Sequence, residues 1–122
     1  MRSILVIIFS FILTAITQQS FGMDIALFDK LKLEPPNAQA HQLLAIHIGG
    51  VAEGYEWANA FLQDEKKPPL FCAPQNFSLN ADNYIKLVDD ELTKNRRLYS
   101  DLGLPIGAIL LRALKEKLPC AR

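Results

Sequence analysis

From Ala38 to Leu62 the apolar residues recur at helical intervals. Leu44, Ile48, Val51, Tyr55, Ala58 and Leu62 step by four, three, four, three and four, the spacing that keeps side chains on one face of an α-helix. Three glycines, Gly49, Gly50 and Gly54, interrupt the run. Each costs about 1 kcal/mol against alanine inside a helix, so a compensation is expected. Gly50 and Gly54 share a face, and close packing of another backbone there would supply it. The alternative is a break at Gly49-Gly50 that yields two shorter helices.

Two further segments show the same period. Ala81, Tyr84, Ile85, Val88 and Leu92 form an apolar stripe. Ser78 or Asn80 can cap its N-terminus, and Asp82 is favourable in the first turn. Asn95-Arg96-Arg97 and Ser100-Asp101-Leu102-Gly103 read as a loop region after it. A last helix opens near Pro105, a residue tolerated in a first turn. Ile106, Ile109 and Ala113, with Ala108, Leu110 and Leu114, give it a broad apolar surface, so it is expected to be mostly buried. Lys115 and Lys117 suit the negative end of its dipole, and Pro119 stops it. Near the start, Met23 to Leu33 fits a short helix with Asp24 as N-cap and Leu27, Phe28 and Leu31 on one face. Pro35-Pro36 ends it. No segment alternates as a strand does, and no internal repeat is visible. The predicted fold is an all-α bundle of four or five helices.

Ahead of this pattern, Met1-Arg2 precedes an apolar run of about 14 residues, Ser3 to Ile16, where a membrane-spanning helix needs about 20. It reads as the centre of a secretory signal peptide, with Ser20 and Gly22 as the small residues before a cut at Met23. An uncleaved short anchor is the alternative. The expected organisation is a signal peptide over 1–22 and one helical domain over 23–122, located in the periplasm without a stable membrane anchor. Removing Arg2 leaves 12 of the 13 basic residues against 13 acidic ones, a net charge of −1. Near-neutrality argues against bulk nucleic-acid binding.

Export changes the meaning of the two cysteines. Cys72 lies in Phe71-Cys72-Ala73-Pro74 and Cys120 in Leu118-Pro119-Cys120. Thiols exported together tend to pair, so an intramolecular Cys72–Cys120 disulfide is expected. Two free thiols or an intermolecular bond are the alternatives.

Catalytic and metal chemistry find little support. A cysteine nucleophile would need His41 or His47 as its base, and oxidation of both sulfurs abolishes every such pair. His41 and His47 are six residues apart, which turns about 240° on a helix and keeps them off one metal. Glu53 and Glu56 are spaced as surface neighbours. No cofactor motif is present. Asp64-Glu65-Lys66-Lys67 and Lys94-Asn95-Arg96-Arg97 are charge clusters at expected loops, where a binding protein places steering charges. Asp64, Lys66, Arg96, Arg97 and Tyr99 are therefore the candidate partner-binding residues, with aromatic side chains as possible anchors.

Several motifs together resemble one family. Ile48-Gly49-Gly50-Val51-Ala52-Glu53-Gly54 is similar to the helical G-V-x-[DE]-G signature of Tai/Rap-type immunity proteins. Cys72-Ala73-Pro74 resembles their C-x-P, and Pro105 to Cys120 resembles their P-x-A-x-L-L-x-x-A-L-x-x-x-x-P-C ending. The resemblance covers roughly residues 40–120. It departs at Thr93 to Leu104, which is longer and lacks a proline. The resemblance implies an exported, all-helical, disulfide-bonded protein that forms homodimers in many members. It further implies a non-enzymatic inhibitor that occludes the active site of a peptidoglycan amidase secreted by a type VI system, through a protruding loop or helix end.

Two other readings stay open. A periplasmic stress or chaperone-like protein of the acid-stress type shares this general build and needs no toxin. An enzyme using Cys72 would require that thiol to be free.

Overall fold

A computed structural model describes residues 22–121 as four α-helices. Apart from Gly22, the segment read as a signal peptide lies outside the described residues. Helix α1 spans Ile25–Lys32, α2 Gln39–Asp64, α3 Ala81–Asp101 and α4 Ile106–Lys117. The described residues contain no strand, and none of their helices is long and apolar enough to cross a membrane.

Three of the four helices start where an early amide finds a partner; α2, with Ala38 as N-cap, has no side-chain cap. At α1 the Asp24 carboxylate accepts from the Leu27 N–H at 2.7 Å, filling one of the unpaired donors of a helix start. Phe28 is buried on its inner face and Leu31 partly so, whereas Leu27 points outward. At α3, Asn80 and Asn83 cap each other reciprocally, at 2.9 and 3.1 Å. This is a capping box built from two asparagines. Pro105 is the N-cap of α4, and the Ile106 N–H donates to the Met23 carbonyl at 2.8 Å.

Helix α2 runs 26 residues without a break at Gly49-Gly50, about 39 Å at the usual rise. Leu44, Ile48 and Ala52 form its buried line. The expected close packing at Gly50 and Gly54 is not found within the chain: a Cβ built on either glycine meets nothing within 4 Å, because both face away from the core. The close approach belongs to Gly107 of α4. A Cβ there would lie 3.4 Å from Val51 Cγ1 and 3.6 Å from the Tyr55 hydroxyl, and that hydroxyl donates to the Gly107 carbonyl at 2.7 Å.

Helix α3 also departs from expectation. The stretches read as loop are helical through Asp101. The only non-helical backbone inside it is at Asn95, with φ −132° and ψ 19°. The Asn95 amide donates to Glu91 Oε1 at 3.0 Å, and the Tyr99 hydroxyl donates to the same oxygen. One buried carboxylate thus bridges the kink and lets the helix continue for another turn and a half. Gly103, at φ +61°, ends it. The Gly103 N–H returns to Ser100 O and the Leu104 N–H to Tyr99 O, both at 3.1 Å. That is the Schellman arrangement, and it needs a residue content with left-handed backbone. Lys94–Glu116 at 2.8 Å and Arg112 over the Tyr99 ring fix α3 and α4 as an antiparallel pair.

The core is one cluster to which every helix contributes, including Phe28, Leu44, Ile48, Val88, Leu92, Tyr99, Ile109, Leu110 and Leu114. Cys72 and Cys120 are bonded, with their Cα atoms 4.8 Å apart. The Cys72 N–H donates to Leu118 O at 2.9 Å beside the bond. Asn59 of α2 holds the same loop from the other side: its amide oxygen accepts from the Leu70 N–H at 2.6 Å and its amide nitrogen donates to Phe71 O at 2.9 Å.

The bond closes a separation of 48 residues, for which chain-entropy reasoning gives about 4 kcal/mol. Replacing both cysteines by serine should lower the unfolding free energy by about that amount. Urea titration followed by circular dichroism measures it; a loss under about 1 kcal/mol would show that the clamp is dispensable.

Candidate protein-binding site

The five candidate contact residues divide into two groups. Asp64 and Lys66 lie at the C-terminal end of α2; Arg96, Arg97 and Tyr99 lie in the last turns of α3. No hydrogen bond or ion pair among the described residues joins the groups. Lys66 has left-handed backbone at φ 57°. Its N–H donates to Gln63 O at 3.0 Å, and the Lys67 N–H donates to Leu62 O at 2.7 Å, so Lys66 ends α2 as Gly103 ends α3. A non-glycine residue there is uncommon.

Tyr99 is removed from the contact set. It is fully buried and bonded to Glu91, with the Arg112 guanidinium 5.4 Å from its ring centre. Burial, then the hydrogen bond to Glu91, raise its pKa above the ordinary phenol value. Arg96 is half-exposed but engaged: its guanidinium grips Asp29 of α1 in a bidentate pair at 2.7 and 3.1 Å. That hydrogen bond holds the Asp29 carboxyl below the usual carboxylate range and raises Arg96. Lys32, which pairs with Asp89 and also reaches Asp29 at 3.5 Å, completes the strap of α1 onto α3.

Arg97 is exposed and unpaired among the described residues, and it lies beside an apolar pair that the sequence reading missed. Leu98 and Leu102 are both exposed. They are four residues apart, hence neighbours on one helix face. Arg97 and Asp101 repeat that spacing alongside. The result is a knuckle at the α3–α4 turn, with two aliphatic side chains flanked by charges of opposite sign. Its backbone is rigid, because buried Tyr99 lies between the exposed leucines and the Schellman bonds close the turn. The signal for Tyr99 was present in the sequence. It stands seven residues after Leu92, on the buried stripe.

A concave feature lies elsewhere, under the disulfide loop. This groove, about 500 Å³ in volume, is lined by Glu56, Asn59, Phe71, Phe77, Tyr84 and Leu114, among others. Glu56 accepts from the Tyr84 hydroxyl at 2.7 Å, and burial followed by this bond raises the Tyr84 pKa. Glu56 is thus committed to Tyr84, and Glu53 makes no hydrogen bond to it. His41 lies 3.6 Å from Asp82 through Nε2, and its Nδ1 is buried without a partner among the described residues. Among those residues no three His, Cys, Asp or Glu side chains converge on a metal position. Both sulfurs are consumed by the disulfide, so neither is a nucleophile while the bond stands.

Comparison of the chain with known protein families, curated proteins and solved structures finds no match.

Two measurements check this geometry. The Asp29–Arg96 pair contributes at pH values above the unfolded carboxyl value of about 4. Its contribution is lost as pH falls through the lowered folded value. Arg96→Ala should therefore cost about 0.5 kcal/mol near pH 7, the ordinary worth of a partly exposed pair, and less at a pH below the usual carboxylate range. Denaturant titrations at the two pH values read the difference. Tyr99→Phe leaves the buried Glu91 carboxylate short of a donor and should cost about 2 kcal/mol. A variant as stable as the wild type would show that the kink network is not structural.

Proposed function

We propose that this chain is an exported immunity-type protein that binds and occludes the active site of a type VI-secreted peptidoglycan amidase. The knuckle at the α3–α4 turn carries this reading. Rigid, exposed aliphatic side chains flanked by charges are suited to entering a cleft. The rigid backbone reduces the ordering cost of binding. Arg97 and Asp101 supply electrostatic register, while Leu98 and Leu102 supply buried contact.

Two further observations support the reading. The disulfide joins the two sequence segments that carry the resemblance to immunity proteins, Cys72-Ala73-Pro74 and Leu118-Pro119-Cys120. It also ties up the two thiols that an enzyme reading would need free. Inhibition by occlusion requires no group transfer from this chain. The knuckle excludes water and substrate from the partner's cleft by filling it.

The test is a titration against a peptidoglycan amidase encoded beside this gene. Stoichiometric inhibition is expected. The double variant Leu98→Asp with Leu102→Asp should weaken it at least about 30-fold, the scale of losing a central contact, with the melting temperature unchanged. No complex at micromolar concentration would overturn the proposal.

A further inference from the structure

The groove under the disulfide loop is lined by a single charged side chain, Glu56, and by no lysine, arginine or histidine. Three aromatic rings, Phe71, Phe77 and Tyr84, share the lining with it. At about 500 Å³ the groove has the size of pockets that hold small molecules.

Its open polar groups are chiefly acceptors. The Tyr84 hydroxyl gives its proton to Glu56 Oε1 at 2.7 Å. Burial, followed by that bond, raises the Tyr84 pKa, so the phenol keeps the proton and stays uncharged. Its oxygen retains lone pairs. The bond from Tyr84 is the one side-chain hydrogen bond Glu56 makes among the described residues, and it occupies one carboxylate oxygen of two. The Asn59 amide is taken up at both ends, by the Leu70 N–H at 2.6 Å and by Phe71 O at 2.9 Å. Gln63 and Ser78 are the remaining polar side chains of the lining.

We propose that this groove is a binding site for a small organic cation, a primary ammonium ion carried on a short apolar body. The ammonium donates to the open Glu56 oxygen and to the Tyr84 phenol oxygen, both charge-assisted bonds. The apolar body lies along Phe71, Leu114 and Leu118, and covers Phe77, which the chain itself leaves 41% exposed. The alternatives fit less well. An anion meets no basic group here and is repelled by Glu56. A wholly apolar ligand takes water from the Glu56 carboxylate and returns no hydrogen bond, which is unfavourable. A cation meets opposite charge and aromatic rings in one place.

The walls are held before a ligand arrives. Cys72 and Leu118 both lie in the lining, and the Cys72–Cys120 bond and the Cys72 N–H to Leu118 O hydrogen bond keep them together. The Phe77 N–H donates to Pro74 O at 3.1 Å. Asn76 turns the loop there with left-handed backbone at φ +66°, a conformation asparagine tolerates better than most residues. A prearranged wall lowers the ordering cost of binding. None of the α3–α4 knuckle residues lines the groove, so this inference stands independently of the proposed inhibitory role.

The probe is phenethylammonium, an ammonium ion on an aromatic body, titrated into the purified, isotope-labelled, disulfide-bonded protein. The amide resonances of Phe71, Phe77 and Tyr84 should shift and saturate, with a dissociation constant on the order of 1 mM for a ligand this small. Phenethyl alcohol, its uncharged analogue, should bind at least about 10-fold more weakly, the scale of losing a charge-assisted hydrogen bond. That comparison needs no variant. Glu56→Gln should weaken phenethylammonium by a similar factor. Its amide oxygen can still accept from Tyr84, so the melting temperature should hold. No saturating shift up to about 20 mM would overturn the proposal. So would equal affinity for the alcohol, or a folded Glu56→Gln protein that binds the amine as the wild type does.

Discussion

The Cys72–Cys120 bond fixes the one place where three otherwise separate pieces of chain must meet. The loop after α2 has almost no regular structure of its own, yet Phe71 within it is part of the core. The bond, the Cys72 N–H to Leu118 hydrogen bond and the two Asn59 amide contacts hold that loop from α4 and α2 at once. With the loop pinned, α2 and α4 have a set separation, and Gly107 can sit against Val51 and Tyr55 at van der Waals distance. A domain of this length buries a small core, so a covalent restraint of several kcal/mol is a large fraction of its total stability.

A second, polar restraint shapes the opposite end. Glu91 is the buried charged residue of the core, and it is bonded by both Asn95 and Tyr99. A buried carboxylate without partners would be strongly unfavourable. With them, it lets α3 bend and still continue to Asp101. The exposed leucines of the α3–α4 turn owe their position to this interior charge. The strap of Arg96 and Lys32 to α1 is peripheral by comparison, because its members remain partly in water.

Much of this fold was legible from local spacing. The α1 cap at Asp24, the length of α2, the buried face of α4 and the cysteine pairing all follow from short-range rules or from compartment chemistry. The end of α3 was not legible. Asn95 and Ser100 are weak helix formers, and the bonds of Asn95 and Tyr99 to buried Glu91 within the same helix carry it past them. Tyr99 looked like a surface aromatic among charges because its partner, Glu91, lies two turns back on the same helix. Gly50 and Gly54 were correctly read as sharing a face. Which face could not be read, because three glycines in one helix carry no side chain to mark inside from outside. The exposed side chains around them, Leu43, Ile46, Trp57 and Phe61, carry that information.

The tie between the Met23 carbonyl and the Ile106 N–H has a consequence for the order of folding. Met23, just before α1, is seated on the start of α4, and Cys72 is bonded to Cys120 across a separation of 48 residues. Both contacts are non-local, so the chain has to be ordered across a long loop before either can form. Closing the bundle is therefore a slower event than winding its separate helices.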